Sequence, residues 1–262
     1  MRARERDRLT GEVAELRRRL RRAEQERERL RRRLARLEPA QELDYLFIVT
    51  YGRSGSTLVQ GILNSIPGYL IRGENRQMLR SLYDFHRTGS RVRRWQRRQL
   101  AQDREGPGET NATSAYYGMD AFPKARSLAG IRRLAVETLL RPDADTRVAG
   151  FKEIRWDDED VADFVAWLRE VFPGARFVVN TRNLEDVAQS KWWGKDPEAL
   201  ERLTATERRL LDLAEQLGDA AHHVRYDDYV DSPEALRPFF EWLGEPFDEQ
   251  RVRDVLAVRH SF

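Results

Sequence analysis

The sequence predicts an α/β protein, a three-layer α/β/α fold around a central parallel sheet, preceded by an N-terminal coiled-coil helix. The first observation is that short apolar runs alternate with helix-like segments over residues 43–262, as in a parallel sheet that helices cover on both faces. The second is a heptad repeat of apolar residues within residues 1–38. We therefore expect a helical arm at 1–38 and a globular domain at 43–262.

Five apolar runs predict the strands, and periodic segments between them predict helices. The runs are residues 45–49, 69–71, 147–151, 176–180 and 222–226. Helical periodicity begins at residue 56 and recurs at 76–86, 127–140, 161–171, 197–217 and 233–243. Residues 87–125 lack this periodicity and contain Gly106-Pro-Gly108. We expect an irregular lid or binding segment there, with disorder as the alternative.

The composition excludes several classes of protein. The chain has no cysteine, which rules out a disulfide framework, a thiol nucleophile and a cysteine-ligated metal. No apolar run approaches the ~18 residues of a membrane span, and arginines interrupt the N-terminal region where a signal peptide has its apolar core. The four histidines lack metal-ligand spacing. These features predict a cytoplasmic protein with no membrane span and no metal.

The arm carries the basic character of the chain. Residues 1–38 contain 15 arginines and 8 acidic residues, a net charge of +7, whereas the whole chain carries +3. Residues 39–262 therefore carry −4. Apolar residues of the arm alternate at spacings of four and three, as in a coiled coil. The d positions are Leu9, Leu16, Ala23, Leu30 and Leu37, and the a positions are Val13, Leu20, Arg27 and Leu34.

The charged flanks of this heptad predict a parallel homodimer through residues 9–37. In a parallel dimer each g residue faces the e residue of the next heptad on the other chain, and here all four pairs are attractive. The pairs are Glu12–Arg17, Arg19–Glu24, Glu26–Arg31 and Arg33–Glu38. The alternatives are a solvated single helix, or a basic arm that is attracted to nucleic acid or anionic lipid. We expect the dimer and no nucleic acid.

Residues 47–58 predict an anion-binding turn. An apolar strand runs into a short loop that contains Gly52 and Gly55, and a helix-like pattern begins at Ser56. Such a turn directs backbone N–H groups and the positive end of a helix at one point, which favours phosphate. The turn is P-loop-like but shorter than the nucleoside-triphosphatase loop, because Ser56 stands where that loop has its lysine. With Arg53 inside it, the turn suits a compact anion without magnesium.

A second segment, residues 175–193, places an arginine where open α/β sheets bind ligands. Its strand ends at Thr181-Arg182, so Arg182 leaves the carboxyl end of the strand. A helix begins near Leu184, and Ser190 lies about two helical turns further on. We expect the chain to fold back so that the Ser190 hydroxyl lies beside Arg182.

Together the two motifs resemble those of the sulfotransferases that use 3'-phosphoadenosine 5'-phosphosulfate (PAPS). Residues 148–156 are similar to the strand and turn between the two donor-binding segments of bacterial members. Residues 224–229, with Ser232-Pro-Glu after them, are similar to the late strand and helix start. The resemblance covers residues 43–262 and is weakest in the middle. It implies a P-loop-NTPase-like fold and transfer of a sulfuryl group from PAPS to an acceptor hydroxyl, without a metal.

The resemblance also implies which residues hold the donor. The first turn takes the 5'-phosphosulfate through Arg53, Ser54, Gly55, Ser56, Thr57 and Leu58. Arg182 and Ser190 take the 3'-phosphate. Many cytosolic members carry lysine where this chain has Arg53. Because arginine stays charged and donates through a fixed fork, Arg53 is expected to neutralise the leaving bisphosphate without protonating it.

Glu74 is the expected general base. It follows the second strand at the sheet edge that carries the phosphosulfate turn, and several sulfotransferases have a carboxylate at about this point. The alternative is that Glu74 caps the following helix or pairs with Arg72 or Arg76.

Lys152 and Arg155 are candidates for contact with the sulfuryl group or with an acidic acceptor. Lys152 is the stronger candidate because it lies within the strand pattern. A structural ion pair of Lys152 with Glu153 or Asp157 is the alternative.

The acceptor is left open, and a glycan, a glycolipid or a small natural product fits. Residues 87–125 are expected to shape its pocket. Trp192 and Trp193 are candidates for the border of the adenine or acceptor pocket, with a place in the core as the alternative. Two other functions are a small-molecule kinase, for which neither a magnesium site nor the P-loop lysine is evident, and a catalytically inactive coiled-coil interaction protein.

Overall fold

The computed structural model describes residues 43–102 and 112–258, together with Glu15, Arg19 and Leu20 of the arm. The chain divides into two compact units, residues 1–42 and 43–262. In the first unit these three residues are helical, and Arg19 donates a hydrogen bond of 2.7 Å to Glu15 one turn earlier. The rest of the predicted heptad lies outside the described residues, and the homodimer stays a prediction.

The second unit is built on a five-stranded parallel sheet. The strands are β1 (Asp44–Val49), β2 (Tyr69–Arg72), β3 (Val148–Glu153), β4 (Arg176–Thr181) and β5 (Ala221–Arg225). Their order across the sheet is β2-β3-β1-β4-β5, and every neighbouring pair is parallel. The predicted parallel sheet is confirmed, with one strand for each apolar run.

Helices connect the strands. They are α1 (Ser56–Asn64), α2 (Met78–Gln102), α3 (Lys124–Ala135), α4 (Val161–Val171), α5 (Leu184–Ala188), α6 (Ala199–Leu217), α7 (Tyr226–Tyr229), α8 (Arg237–Leu243) and α9 (Glu249–Ala257). A π turn (Val136–Leu140) continues α3, and short 3₁₀ segments lie at Met119–Ala121, Trp193–Lys195, Gly218–Ala220 and Pro233–Leu236.

The prediction of an irregular segment from residue 87 is wrong for residues 87–102. α2 continues to Gln102, and its buried side includes Tyr83, His86 and Gln96. Arginines interrupt the apolar pattern in this stretch and hide the period, although arginine itself is a good helix former. Gly89 lies against the ring of Phe122, which occupies the space of a Cβ atom.

Alternate side chains of the sheet enter two separate cores, which produces the three layers. On β1, Phe47 and Val49 pack with side chains of α2, α3, α4 and α6. Leu46 and Ile48 pack on the opposite face with α1, α8 and α9. All four side chains are fully buried, and each such burial contributes about 1.5–3 kcal/mol of hydrophobic free energy. The predicted three-layer α/β/α architecture is confirmed.

The sheet register brings several loops to one edge. Val49, the last residue of β1, is paired with Glu153 on β3 and with Val179 on β4. The segments that follow these strands therefore leave the same edge, where open parallel sheets bind ligands.

Candidate active site

Buried polar contacts fix the turn between β1 and α1. The Thr50 hydroxyl donates a hydrogen bond of 2.6 Å to the backbone oxygen of Asn180 and lies 2.7 Å from the Ser54 hydroxyl. The Asn180 amide donates to the backbone oxygen of Ser54 over 2.8 Å. All three residues are fully buried. These hydrogen bonds join the turn to β4, and those of Ser54 stabilise the conformation of the turn.

The backbone of the turn adopts a conformation suited to anion binding. Arg53 and Gly55 are left-handed, with φ of 73° and 81°. Such a φ is unfavourable for arginine, and strain of this kind is concentrated at functional sites. Gly55 precedes α1 without a side-chain cap, and the first turn of α1 contains no acidic residue. The Leu58 N–H bonds the Gly55 backbone oxygen at 2.9 Å, which leaves the N–H groups of Ser56 and Thr57 to an anion.

The residues expected to hold the donor come together around Arg53. Its Nε donates a hydrogen bond of 3.0 Å to the Ser190 hydroxyl, and Arg182 donates to its backbone oxygen over 3.5 Å. The Arg182 guanidinium lies 4.6 Å above the ring of Tyr226. Its Nε is buried and has no hydrogen-bond partner among the described residues. The Nη2 atom lies 3.9 Å from the Asp186 carboxylate, and 27% of the side chain is exposed, so the guanidinium is open to an oxygen-rich anion.

The position of Ser190 relative to the helix, and its hydrogen-bond partner, differ from the expectation. α5 ends at Ala188, and Ser190 follows the helix instead of lying within it. Its hydroxyl binds Arg53 of the first motif, whereas the expected neighbour was Arg182. Helix length after a strand is weakly encoded, and element ends are the least certain part of a sequence-based prediction.

A buried tyrosine positions Arg182, and sequence analysis missed it. The Tyr51 hydroxyl accepts a hydrogen bond of 3.0 Å from the backbone N–H of Arg182 and donates to the carboxylate of Glu207 on α6. Burial, and then the bond to Glu207, raise the pKa of Tyr51 well above its usual value. The hydroxyl therefore stays protonated and keeps its donor.

Glu74 and Lys152 form an ion pair in the site. The Lys152 Nζ donates to Glu74 Oε1 over 2.7 Å. The Lys152 side chain is 7% exposed and the Glu74 side chain is 37% exposed, so the lysine is buried and the carboxylate reaches the cavity surface. Lys152 lies on β3, as predicted. Asn75 accepts a hydrogen bond from the N–H of Met78 and so caps α2, a role that had been the alternative for Glu74.

Glu153 holds the segment that carries Glu74. Its carboxylate is fully buried and accepts hydrogen bonds from the backbone N–H groups of Asn75 and Gln77, at 3.1 and 3.0 Å. Ile154 N–H and Arg155 donate to its other oxygen. The two residues before Met78, Arg76 and Gln77, are left-handed, with φ of 55° and 56°. Glu153 thus stabilises an unfavourable turn, a role that a strand-end carboxylate does not reveal in sequence.

Some of the predicted site residues line a cavity of about 400 Å³, here named the donor cavity, whereas Ser54 and Ser190 do not. One part is polar and includes Arg53, Arg182, Glu74 and Lys152. The backbone of the turn also contributes, through Gly55, Ser56, Thr57 and Leu58. Another part is formed by Tyr226, Val230, Leu256 and Val258. Cations beside an apolar surface match a ligand that has anionic groups and a flat ring.

A family model described as the sulfotransferase family matches residues 44–249. The chain belongs to the sulfotransferase family. Among solved structures it is similar to the sulfotransferase domain of the Synechococcus PCC 7002 olefin synthase, with 21% identity and a TM-score of 0.49 over 85% of this chain and 81% of that one. It is also similar to the sulfotransferase STF9 from Mycobacterium avium, with 15% identity and a TM-score of 0.47 over 90% and 73%. No curated protein matches the chain.

The sulfotransferase has a second cavity, of about 420 Å³, beside the first. The two share Gly52, Ile154 and Trp192 in their linings. Trp192 is 51% exposed and therefore borders the cavities instead of entering the core. Trp193 also lines the second cavity, and its indole N–H donates to the backbone oxygen of Gly52.

Other predicted elements of the sulfotransferase lie away from these cavities. Neither cavity is lined by residues 87–102 or 112–125, and the lid role of 87–125 stays a prediction. Over the residues that the structure describes, no cluster of three or more histidine, aspartate or glutamate side chains is arranged to hold a metal ion. Within the same residues, no helix is both long and apolar enough to span a bilayer.

Proposed function

We propose that this sulfotransferase moves the sulfuryl group of PAPS to a hydroxyl of its acceptor. The observation that carries the proposal is the contact between the two donor motifs: the side chain of Arg53 binds Ser190, and Arg182 binds the backbone of Arg53. A 5'-phosphosulfate at the turn and a 3'-phosphate at Arg182 belong to the same nucleotide. The contact supports a site that takes both groups at once.

The donor cavity suits this nucleotide at both ends. The partly exposed side chain of Arg182 lines the cavity and supports a role in binding the 3'-phosphate, since arginine pairs readily with phosphate oxygens. Tyr226, Val230, Leu256 and Val258 give the adenine an apolar surface. Gly55 has to be glycine for this arrangement, because a Cβ there would lie 2.2 Å from the Tyr226 ring.

The proposed reaction is an in-line displacement at sulfur. The acceptor oxygen forms a bond to sulfur as the bond between sulfur and the 5'-phosphate oxygen breaks, and adenosine 3',5'-bisphosphate leaves. Glu74 takes the proton of the acceptor hydroxyl. Arg53 offsets the charge that develops on the leaving group, and the Lys152 ammonium, 2.7 Å from Glu74, stabilises the sulfuryl oxygens.

The test is calorimetric titration with adenosine 3',5'-bisphosphate beside AMP and Mg-ATP. Micromolar binding that requires the 3'-phosphate supports the proposal. Preference for Mg-ATP would favour a small-molecule kinase, and binding of none of the three would favour an inactive domain carried by its coiled coil. The parallel homodimer and the cytoplasmic location remain sequence-based predictions within this proposal.

A further inference from the structure

The second cavity lies where a co-substrate can meet the donor. Its volume of about 420 Å³ is in the range of small-molecule sites. The shared wall consists of the Gly52 backbone, the Ile154 side chain and the half-exposed indole of Trp192. Gly52 leaves no room for a larger residue, because a Cβ there would lie 2.7 Å from Trp192. A ligand in this cavity therefore lies directly beside the phosphosulfate turn.

The lining combines apolar surface with four ionic side chains, of which Arg209 and Asp157 form no ion pair among the described residues. Ile154, Trp192, Trp193 and Leu203 supply the apolar part. The ionic residues are three arginines and one aspartate, namely Arg155, Arg202, Arg209 and Asp157. An apolar wall with a few charged groups favours a ligand that has an apolar body and an anionic substituent.

Arg209 is the arginine that lacks a counter-ion. Arg155 pairs with Glu153 at 3.2 Å, and Arg202 pairs with Asp196 at 2.8 Å. Arg209 donates to the backbone oxygen of Asp157 over 2.8 Å and to the Thr206 hydroxyl over 3.5 Å. Its Nε is buried without a partner, and no carboxylate pairs with it in the part of the chain that the structure describes. Among the described residues these neutral contacts orient the guanidinium without pairing it with a carboxylate, although the Asp157 carboxylate lines the same cavity.

We propose that the second cavity binds the acceptor, and that the acceptor is a small apolar or aromatic molecule with a hydroxyl and one anionic group that pairs with Arg209. The inference rests on the proposed function, because it supplies that reaction with its second substrate. The acceptor hydroxyl must extend past Ile154 and Trp192 into the donor cavity, since Glu74 and Lys152 line that cavity and not the second one. Of the three acceptor classes left open by the sequence, it selects the small molecule. A neutral glycan would cover Arg209 without giving its charge a partner, which costs free energy.

The test uses three hydroxyaryl carboxylates, each beside its uncharged methyl ester. The probes are para-hydroxyphenylacetate, para-hydroxycinnamate and hydroxynaphthoate. Each is titrated into the full chain saturated with adenosine 3',5'-bisphosphate, and the affinity is measured by calorimetry. We expect at least one carboxylate to bind about tenfold more tightly than its ester, the effect of a hydrogen-bonded charge.

Substitutions then assign the preference to one side chain. Arg209→Gln should abolish the preference for the carboxylate, Arg209→Lys should retain part of it, and Arg208→Gln should leave it intact. Arg208 is the matched control because it is exposed on the same helix and lines neither cavity. The affinity for the bisphosphate, measured on each protein preparation before saturation, reports whether each variant is folded.

Two results would overturn the inference. One is that no carboxylate of the panel binds the wild-type chain more tightly than its ester. The other is that the preference survives in Arg209→Gln. If the bisphosphate binds normally in either case, the acceptor assignment fails and the proposed function stands. If the wild-type chain does not bind the bisphosphate, the proposed function fails first.

Discussion

The Nε of Arg53 donates a hydrogen bond of 3.0 Å to the hydroxyl of Ser190, and the two residues are 137 positions apart in sequence. Arg53 belongs to the turn after β1, and Ser190 follows the short helix after β4. The contact joins the two donor motifs, because displacement of either side chain breaks the hydrogen bond to the other. Arg182 adds a second link through the backbone oxygen of Arg53.

Replacing Arg182 with alanine should weaken bisphosphate binding far more than AMP binding. The side chain supplies the proposed contact to the 3'-phosphate, which AMP lacks. Since charged hydrogen bonds contribute about 1.5–3 kcal/mol, we expect a loss of at least about tenfold. Calorimetry with both nucleotides measures the difference. Arg169→Ala, an exposed change on α4, is the control, and equal losses for both nucleotides would contradict the 3'-phosphate assignment.

Glu74→Gln should retain nucleotide binding and lose turnover. The amide keeps an oxygen for Lys152 but cannot take a proton from the acceptor, and loss of a general base lowers kcat by about 10²–10⁴-fold. The measurement is sulfuryl transfer from PAPS to an acceptor found by screening, together with bisphosphate affinity. Glu137→Gln, an exposed change in the turn after α3, is the matched control. A fully active Glu74→Gln variant would remove Glu74 as the base.

Glu153→Gln should lower both stability and turnover, although Glu153 lines neither cavity. The buried carboxylate accepts two N–H groups of the segment that carries Glu74, and a glutamine amide cannot accept from all of the present donors. Each buried donor left unpaired costs about 1–3 kcal/mol. The midpoint temperature of thermal unfolding and kcat should both fall, while bisphosphate affinity is retained. Glu159→Gln, which is exposed, controls for the loss of charge, and unchanged kcat in Glu153→Gln would refute the positioning role.

Leu20→Asp should convert the predicted dimer to a monomer. Leu20 occupies an a position of the heptad, and its side chain is 60% exposed, so the change should affect association more than the fold of one chain. Light scattering gives the molar mass. Arg18→Asp, at the outward f position, is the control, and removal of residues 1–38 should give the same monomer. A deleted chain that remains dimeric would place the interface on the domain.

The fold was predictable because its signals are local, whereas the site depends on contacts between distant strands. Apolar runs and their alternation located all five strands. The position of Glu74 at the ligand edge and the place of Lys152 on a strand also followed from these runs. The ion pair between them was not predictable, because it requires β3 to lie beside β2 in the sheet. The periodicity of the sequence does not give the order of the strands. The roles of Tyr51 and Glu153 are equally non-local, since each acts through the backbone of another segment.

Gly55→Ala should abolish bisphosphate binding while the domain stays folded. Gly55 has a φ of +81°, and a Cβ there would lie 2.2 Å from the Tyr226 ring, which borders the donor cavity. The substitution therefore displaces the ring, strains the turn and disturbs the cation–π contact with Arg182.

Gly174→Ala is the matched control for Gly55→Ala. Gly174 has a similar φ of +77°, but nothing lies within 4 Å of its added Cβ. Both variants are strained by about 1–2 kcal/mol through the left-handed backbone, but only in Gly55→Ala does the new Cβ clash with the Tyr226 ring. Calorimetry should show normal bisphosphate affinity for Gly174→Ala and none for Gly55→Ala. If both variants bind normally, the close packing of Tyr226 on the turn is not required for the donor site.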